Sequence, residues 1–189
     1  IGRIVEEEST GIITAQRIKD LDNLPDRSQE SRYQYKIDGL PATTMITSRG
    51  CPHNCAFCSK EVYGRLRVTR SAESVLTEVE SVMSEGYRAI MFYDDTFMTG
   101  RHRLTILCAA FQDYGLVWRC LARADDADKE VLALMKRSGC REIGIGAESG
   151  SQQILENIQK HETVEEQKRC IQLAHEVGLR VKAFMIVGL

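Results

Sequence analysis

No stretch of this sequence approaches the roughly 20 consecutive apolar residues that a bilayer-spanning helix needs. It also lacks an excess of either charge: 25 lysines and arginines stand against 27 aspartates and glutamates, a net −2 over 189 residues. A uniformly basic surface for nucleic acid or anionic lipid is therefore excluded. The one local basic stretch, GRLRVTR at 64–70, reads as a solvated loop. The N-terminal IGRIVEEEST has neither the basic start nor the apolar middle of a signal peptide. The seven cysteines are odd in number and unevenly spaced. That is unlike a disulfide framework and points to a reducing, cytoplasmic setting with clustered thiols as metal ligands. There is no initiator methionine, and the chain stops within the apolar AFMIVGL, so the sequence reads as a piece of a longer protein.

What is present is an ordinary globular composition, 43% hydrophobic and 28% charged, enough for one domain with or without an arm. Residues 1–42 are the least regular part, with the acidic run Glu6, Glu7 and Glu8 and with Pro25 and Pro41. They read as a surface-running linker or arm with little core of its own. From Thr43 to Leu189 the pattern becomes repetitive. Runs rich in β-formers recur at 43–48, 88–95, 116–122, 141–148 and 180–188. Most are nearly continuous apolar stretches, as expected for parallel strands buried on both faces. Between them lie helical patterns. Val75, Leu76, Val79, Val82 and Met83 form one apolar stripe, with Ser71 placed to cap it. Thr163 and Glu166 have capping-box spacing for a helix ending near Val177.

Gly86, Gly115, Gly139 and Gly178 each fall just after a helical pattern and just before a strand, where a left-handed residue ends a helix without a Cβ clash. Helix, glycine and strand, four times over, describe an α/β fold of parallel βα repeats. Periodicity alone leaves an open doubly wound sheet and part of a βα barrel both standing. In either, ligands gather at the C-terminal ends of the strands.

That edge holds TSRGCPHNCAFCSK, which places Cys51, Cys55 and Cys58 on the loop after the first strand. A structural zinc closes its tetrahedron with four protein ligands. Here a fourth is not in view, since His53 lies between two of the cysteines. A cubane iron–sulfur cluster normally takes four cysteines, and three leave one iron open for chemistry. The spacing favours a cluster over a zinc site completed by His53 or a distant cysteine. Cys108, Cys120, Cys140 and Cys170 are scattered and read as core filler. His102, His161 and His175 read as surface residues.

The motif C-x3-C-x-aromatic-C, completed here by Phe57, resembles that of the radical S-adenosylmethionine superfamily, and the resemblance covers about residues 40–189. It implies a partial (β/α)6 barrel, truncated after the fifth strand and similar to a TIM barrel, as a core domain at 43–189. It implies a [4Fe–4S] cluster on Cys51, Cys55 and Cys58. S-adenosylmethionine chelates the open iron and is cleaved by one electron to methionine and a 5′-deoxyadenosyl radical. It further implies that Asp94 or Asp95, in YDDTF, receives the methionyl amine; helix capping is the alternative for either. Arg123 would pair with the methionyl carboxylate, or else form a salt bridge. Glu148 and Ser149, in GIGAESGS, would approach the ribose. The run 184–189 would end near the adenine.

Upstream, LDNLP at 21–25 resembles the linker of the cobalamin-binding branch. That brings in cobalamin as a further cofactor, held by a domain absent from this chain. It makes methylation or an oxidative rearrangement of a small-molecule substrate the expected reaction. A reductant such as a flavodoxin or ferredoxin is the expected partner. The alternatives are a methylthiotransferase-like RNA-modifying enzyme, which the near-neutral charge does not support, and a non-catalytic zinc module.

Overall fold

The structure is a computed structural model and describes residues 18–24, 35–59 and 64–189. The acidic run Glu6, Glu7 and Glu8 and Pro25 lie outside the described residues. One six-stranded sheet organises the chain, in the order β1-β2-β5-β6-β7-β8. Its strands are β1 (Tyr35–Ile37), β2 (Leu40–Met45), β5 (Ala89–Phe92), β6 (Val117–Ala122), β7 (Cys140–Glu148) and β8 (Arg180–Met185). Strands β2, β5, β6, β7 and β8 are parallel and follow one another in chain order. The intervening helices are α1 (Ala72–Ser84), α2 (Arg101–Tyr114), α3 (Lys129–Arg137), α4 (Gln152–Asn157) and α5 (Val164–Glu176). This is the expected α/β succession, curled as a half-barrel. A two-stranded ribbon, β3 (Ser48–Arg49) with β4 (Val68–Thr69), is set apart from the sheet.

Local chemistry explains the helix ends. Ser71 accepts the Ser74 N–H to open α1, Asp128 caps α3, and Thr163 and Glu166 form a reciprocal capping box on α5. Gly86, Gly115, Gly139 and Gly178 all have positive φ. At Gly139 close approach adds to the conformational demand: a Cβ there would stand 2.0 Å from the Leu116 carbonyl oxygen.

The core lies between the outer face of the sheet and the helices. Phe92, Phe97, Phe111 and Trp118 form one aromatic cluster with centroid spacings of 4.6 to 5.8 Å. Val75, Val79 and Val82 of α1 and Leu104, Leu107 and Phe111 of α2 close over it. Trp118 also donates its indole N–H to the Ser138 carbonyl at 2.9 Å, so its polar atom is satisfied inside the core. Cys108, Cys120, Cys140 and Cys170 are buried here, as core filler.

Three features depart from the sequence pattern. The first apolar run, 43–48, is not one strand: it breaks after Met45, where Asp94 takes the Thr47 backbone N–H that a continuing strand would use. The sheet also takes in Tyr35–Ile37, antiparallel to β2, which no alternation in the arm marked. Within that arm Leu21 is buried, and the Asp22 carboxylate accepts the Ser71 N–H at 3.0 Å. Strand β8, expected to be buried on both faces, is largely exposed. Among the described residues it is the edge of the sheet, with β7 on one side only.

The basic stretch 64–70 is not a solvated loop. Arg65 donates to Asn54 Oδ1, Arg67 to the carbonyls of Thr96 and Thr99, and Arg70 pairs with Glu78. The arginines tie the return of the cysteine loop to the body of the protein.

Candidate active site

Strands β2, β5, β6 and β7 all end at one edge of the sheet, and the side chains just past those ends meet there. The cysteine loop leaves β3 at this edge. Ala56 N–H donates to the Ile158 carbonyl at 2.8 Å, and Asn54 donates to Gln159 Oε1 at 3.1 Å. The loop is thereby pinned to the C-terminal end of α4. Cys51, Cys55 and Cys58 line a single cavity of about 280 Å³ with Phe57, Asp95 and Arg123. Glu148, Lys160 and Phe184 complete its far wall.

The paired aspartates separate completely. Asp94 is fully buried, and its carboxylate accepts from Thr47 N–H, Thr47 Oγ1 and Ser48 Oγ, each at 2.6 Å. It is committed to joining the exits of β2 and β5. Asp95 is exposed to the cavity and accepts the Gly50 N–H at 3.0 Å.

Arg123 follows β6 and is 5% exposed, so the salt bridge considered from sequence is formed, but by a buried guanidinium rather than a surface one. It makes a bidentate pair with Asp125 at 2.9 and 3.0 Å and donates to the Lys160 carbonyl at 3.0 Å. Its remaining amino group lies 4.0 Å from Cys55 Sγ. Burial pushes the Cys51 thiol upward and lowers the His53 imidazole, with the Arg123 charge adding to the latter.

Glu148 adopts φ +61, a left-handed conformation that a non-glycine residue occupies at a cost. It coincides with a register shift between β7 and β8. The carboxylate lies where a Cβ on Gly146 would be, 2.3 Å from Oε1. Glycine at 146 is what lets this carboxylate occupy the cavity. Ser149 stands beside the cavity rather than in its wall, and its hydroxyl accepts the Ser151 N–H at 3.2 Å.

Lys160 was not legible in the sequence. It is 5% exposed, lines the cavity and places Nζ 3.5 Å from Glu148 Oε1. It follows α4, and no local pattern distinguishes it from a surface lysine until the chain is folded.

The cavity is thus lined by three thiols, the carboxylates of Asp95 and Glu148 and two buried cations. Among the described residues no three His, Cys, Asp or Glu side chains converge on a point that one metal ion would occupy. A cluster with separate iron corners makes no such demand, because each thiolate binds its own iron. Three thiols lining one cavity suit an iron–sulfur cluster, in which each thiolate would bind its own iron.

The family model described as the Radical SAM superfamily matches residues 45–189, and the chain belongs to that superfamily. It is 33% identical over 177 residues to an uncharacterized methyltransferase of Pyrococcus horikoshii, covering 90% of this chain and 39% of that protein. It is 29% identical over 193 residues to the anaerobic magnesium-protoporphyrin IX monomethyl ester cyclase of Cereibacter sphaeroides, covering 97% of this chain and 32% of that protein. The chain thus spans about a third of the length of these relatives. Among solved structures, the cobalamin-dependent S-adenosylmethionine radical enzyme OxsB superposes with a TM-score of 0.70 at 24% identity, covering 77% of this chain and 24% of that one. The shared fold makes the five parallel strands part of a radical SAM barrel. No helix among the described residues is long and apolar enough to cross a membrane.

Proposed function

We propose that this chain is the core of an enzyme that reductively cleaves S-adenosylmethionine at a [4Fe–4S] cluster held by Cys51, Cys55 and Cys58. The observation that carries this reading is the single cavity in which those three cysteines face Asp95, Arg123, Glu148 and Lys160. When bound, the cluster supplies the electron that breaks the sulfonium bond and the open iron that chelates the methionyl group.

The chain's own residues supply binding and orientation. Asp95 is the aspartate with a carboxylate open to the cavity, so it suits the methionyl ammonium. Asp94 has its oxygens taken and serves as the brace behind it. Lys160 suits the methionyl carboxylate, since its buried ammonium lies 3.5 Å from Glu148 and 3.9 Å from Glu162 and retains a donor to give. Arg123 is largely committed to Asp125 and acts on the cluster side instead. Glu148 suits the ribose hydroxyls, and Ser149 holds the turn behind it. Phe57 and Phe184 supply apolar wall that excludes water.

The stretch ahead of β1 fits a linker to a cobalamin-binding domain outside this chain, and the core domain expected at 43–189 takes in β1 and the start of β2 as well. The relatives carry both a methyltransferase and a cyclase name, and both methylation and oxidative rearrangement of a small molecule suit the site. The setting that suits this chemistry is the cytoplasm, with a flavodoxin or ferredoxin as electron donor.

Anaerobic reconstitution of the full-length protein with iron and sulfide tests the reading. The expected result is a brown protein with iron and sulfide in equal amounts. On reduction it should convert S-adenosylmethionine to methionine and 5′-deoxyadenosine. A colourless protein holding one zinc per chain would overturn it.

A further inference from the structure

Helices α1, α2, α3 and α5 each close on a left-handed glycine, at Gly86, Gly115, Gly139 and Gly178. Among the described residues α4 alone departs from this rule. It closes with the same pair of hydrogen bonds, Gln159 N–H to the Glu156 carbonyl and Lys160 N–H to the Leu155 carbonyl, each at 3.0 Å. Its left-handed residue, however, is Gln159, at φ +54. Glycine takes this conformation without a Cβ clash, so a side chain here is kept at a cost in stability. Two residues on, His161 is left-handed as well, at φ +55. Lys160 lies between the two and is buried against the cavity.

The side chain kept at 159 has a specific partner. Gln159 Oε1 accepts from the Asn54 amide at 3.1 Å, and Asn54 Oδ1 accepts from Arg65 at 2.6 Å. The residue before it contributes through its backbone, since the Ile158 carbonyl accepts the Ala56 N–H at 2.8 Å. Cys55 stands between Asn54 and Ala56, so the closing turn of α4 holds it from both sides. The residue after Gln159 is Lys160, which lines the cavity and gives its carbonyl to Arg123 at 3.0 Å. One short turn therefore grips the cysteine loop and carries the buried lysine. A glycine at 159 would close the helix with less strain, but it would take away the acceptor that Asn54 uses.

We propose that Gln159 is a positioning residue for S-adenosylmethionine binding: through its side-chain bond to Asn54 it fixes the cysteine loop against the turn that carries Lys160. The inference rests on the roles proposed above for the three cysteines and for Lys160. A ligand held by both the cysteine loop and Lys160 needs the two at a set separation, and a small displacement of either weakens its contacts with both. The strain at Gln159 is then retained for the alignment it provides.

The test is S-adenosylmethionine binding by the reconstituted full-length protein, measured by anaerobic equilibrium dialysis beside iron content and thermal unfolding. Gln159→Gly should hold as much iron as the natural protein and melt no lower, because relief of the left-handed conformation offsets the lost bond. Its affinity for S-adenosylmethionine should fall about threefold to tenfold, with the loss appearing in KM and not in the rate at saturation. Gln159→Glu keeps an acceptor of the same reach and should bind within about twofold of the natural protein. In an Asn54→Ala background, Gln159→Gly should bring no further loss. Unchanged affinity in Gln159→Gly, iron lost in step with affinity, a loss in Gln159→Glu as large as in the glycine variant, or additive losses in the double variant each overturn the inference. A natural protein that assembles no cluster counts against the function proposed above. The link between loop and turn is then read from amide exchange of the full-length protein. Exchange at Ala56 should quicken in Gln159→Gly, and unchanged exchange overturns the inference.

Discussion

The two faces of the sheet are built on opposite principles. The outer face presents Ile90, Phe92, Trp118, Cys120, Ile143 and Ile145, all fully buried under the helices. The inner face, one residue out of phase, presents Arg119, Leu121, Glu142, Gly144 and Gly146. At its lower end Arg119 and Arg180 pair with Asp38 and Glu142. At its upper end the glycines clear space for Glu148 and the cavity. Alternation along a strand sends successive side chains to opposite faces, so one segment serves stability and chemistry at once. The outer face holds the fold together, and the inner face is free to carry charge and empty space.

Substitutions on the two faces should therefore fail in different ways. The largest effect is on the chemistry. Cys55→Ala is expected to abolish cluster assembly and S-adenosylmethionine cleavage while the apoprotein melts within a few degrees of the natural one. Near-normal reductive cleavage in that variant would remove Cys55 from the ligand set. On the outer face, Trp118→Ala should cost about 3–5 kcal/mol in urea unfolding. It deletes the ring that joins Phe92, Phe97 and Phe111 and orphans the Ser138 carbonyl.

The adjacent aspartates give the sharpest form of the contrast. Asp95→Asn should weaken S-adenosylmethionine binding by about 1.5–3 kcal/mol with little change in stability. Asp94→Asn should instead lower stability by about 1–3 kcal/mol, because one amide group replaces an acceptor that three donors need. Calorimetric titration and unfolding of both variants separate the roles, and an exchange of the two phenotypes would reverse the assignment.

The smallest effect is a pH dependence of stability. The Glu162 carboxyl is raised from an ordinary 4.5 to about 7 in the folded protein. The folded state therefore holds this proton more tightly than the unfolded chain does. Its contribution is present below about pH 4.5 and is lost as pH rises toward 7. The difference in melting temperature between the natural protein and Glu162→Gln should move in favour of the variant across that window. A constant difference would mean that Glu162 does not titrate there.

Much of the outer face was legible before folding. The stripe of α1, the caps at Ser71 and Thr163 and the glycines that close the helices all act over a few residues, and their periodicity survives in one dimension. The cysteine loop was legible for the same reason, since its three thiols lie within eight residues. Asp94 and Asp95 show where this reach ends. They are neighbours of identical chemistry, and only the approach of Thr47 and Ser48 from another strand end distinguishes them. Lys160 and Glu162 were unreadable because their significance lies in contacts with Glu148, Asp125 and Arg123, at the ends of other strands.

The sequence by itself determined the βα succession and the clustering of three thiols on one loop, because helix stripes, end signals and a clustered motif are local properties. Only the tertiary structure decided which aspartate faces the cavity, which lysine enters it and which carboxyl is buried beside Arg123. Those outcomes depend on desolvation and on partners drawn from separate strand ends, and neither exists until the sheet has curled.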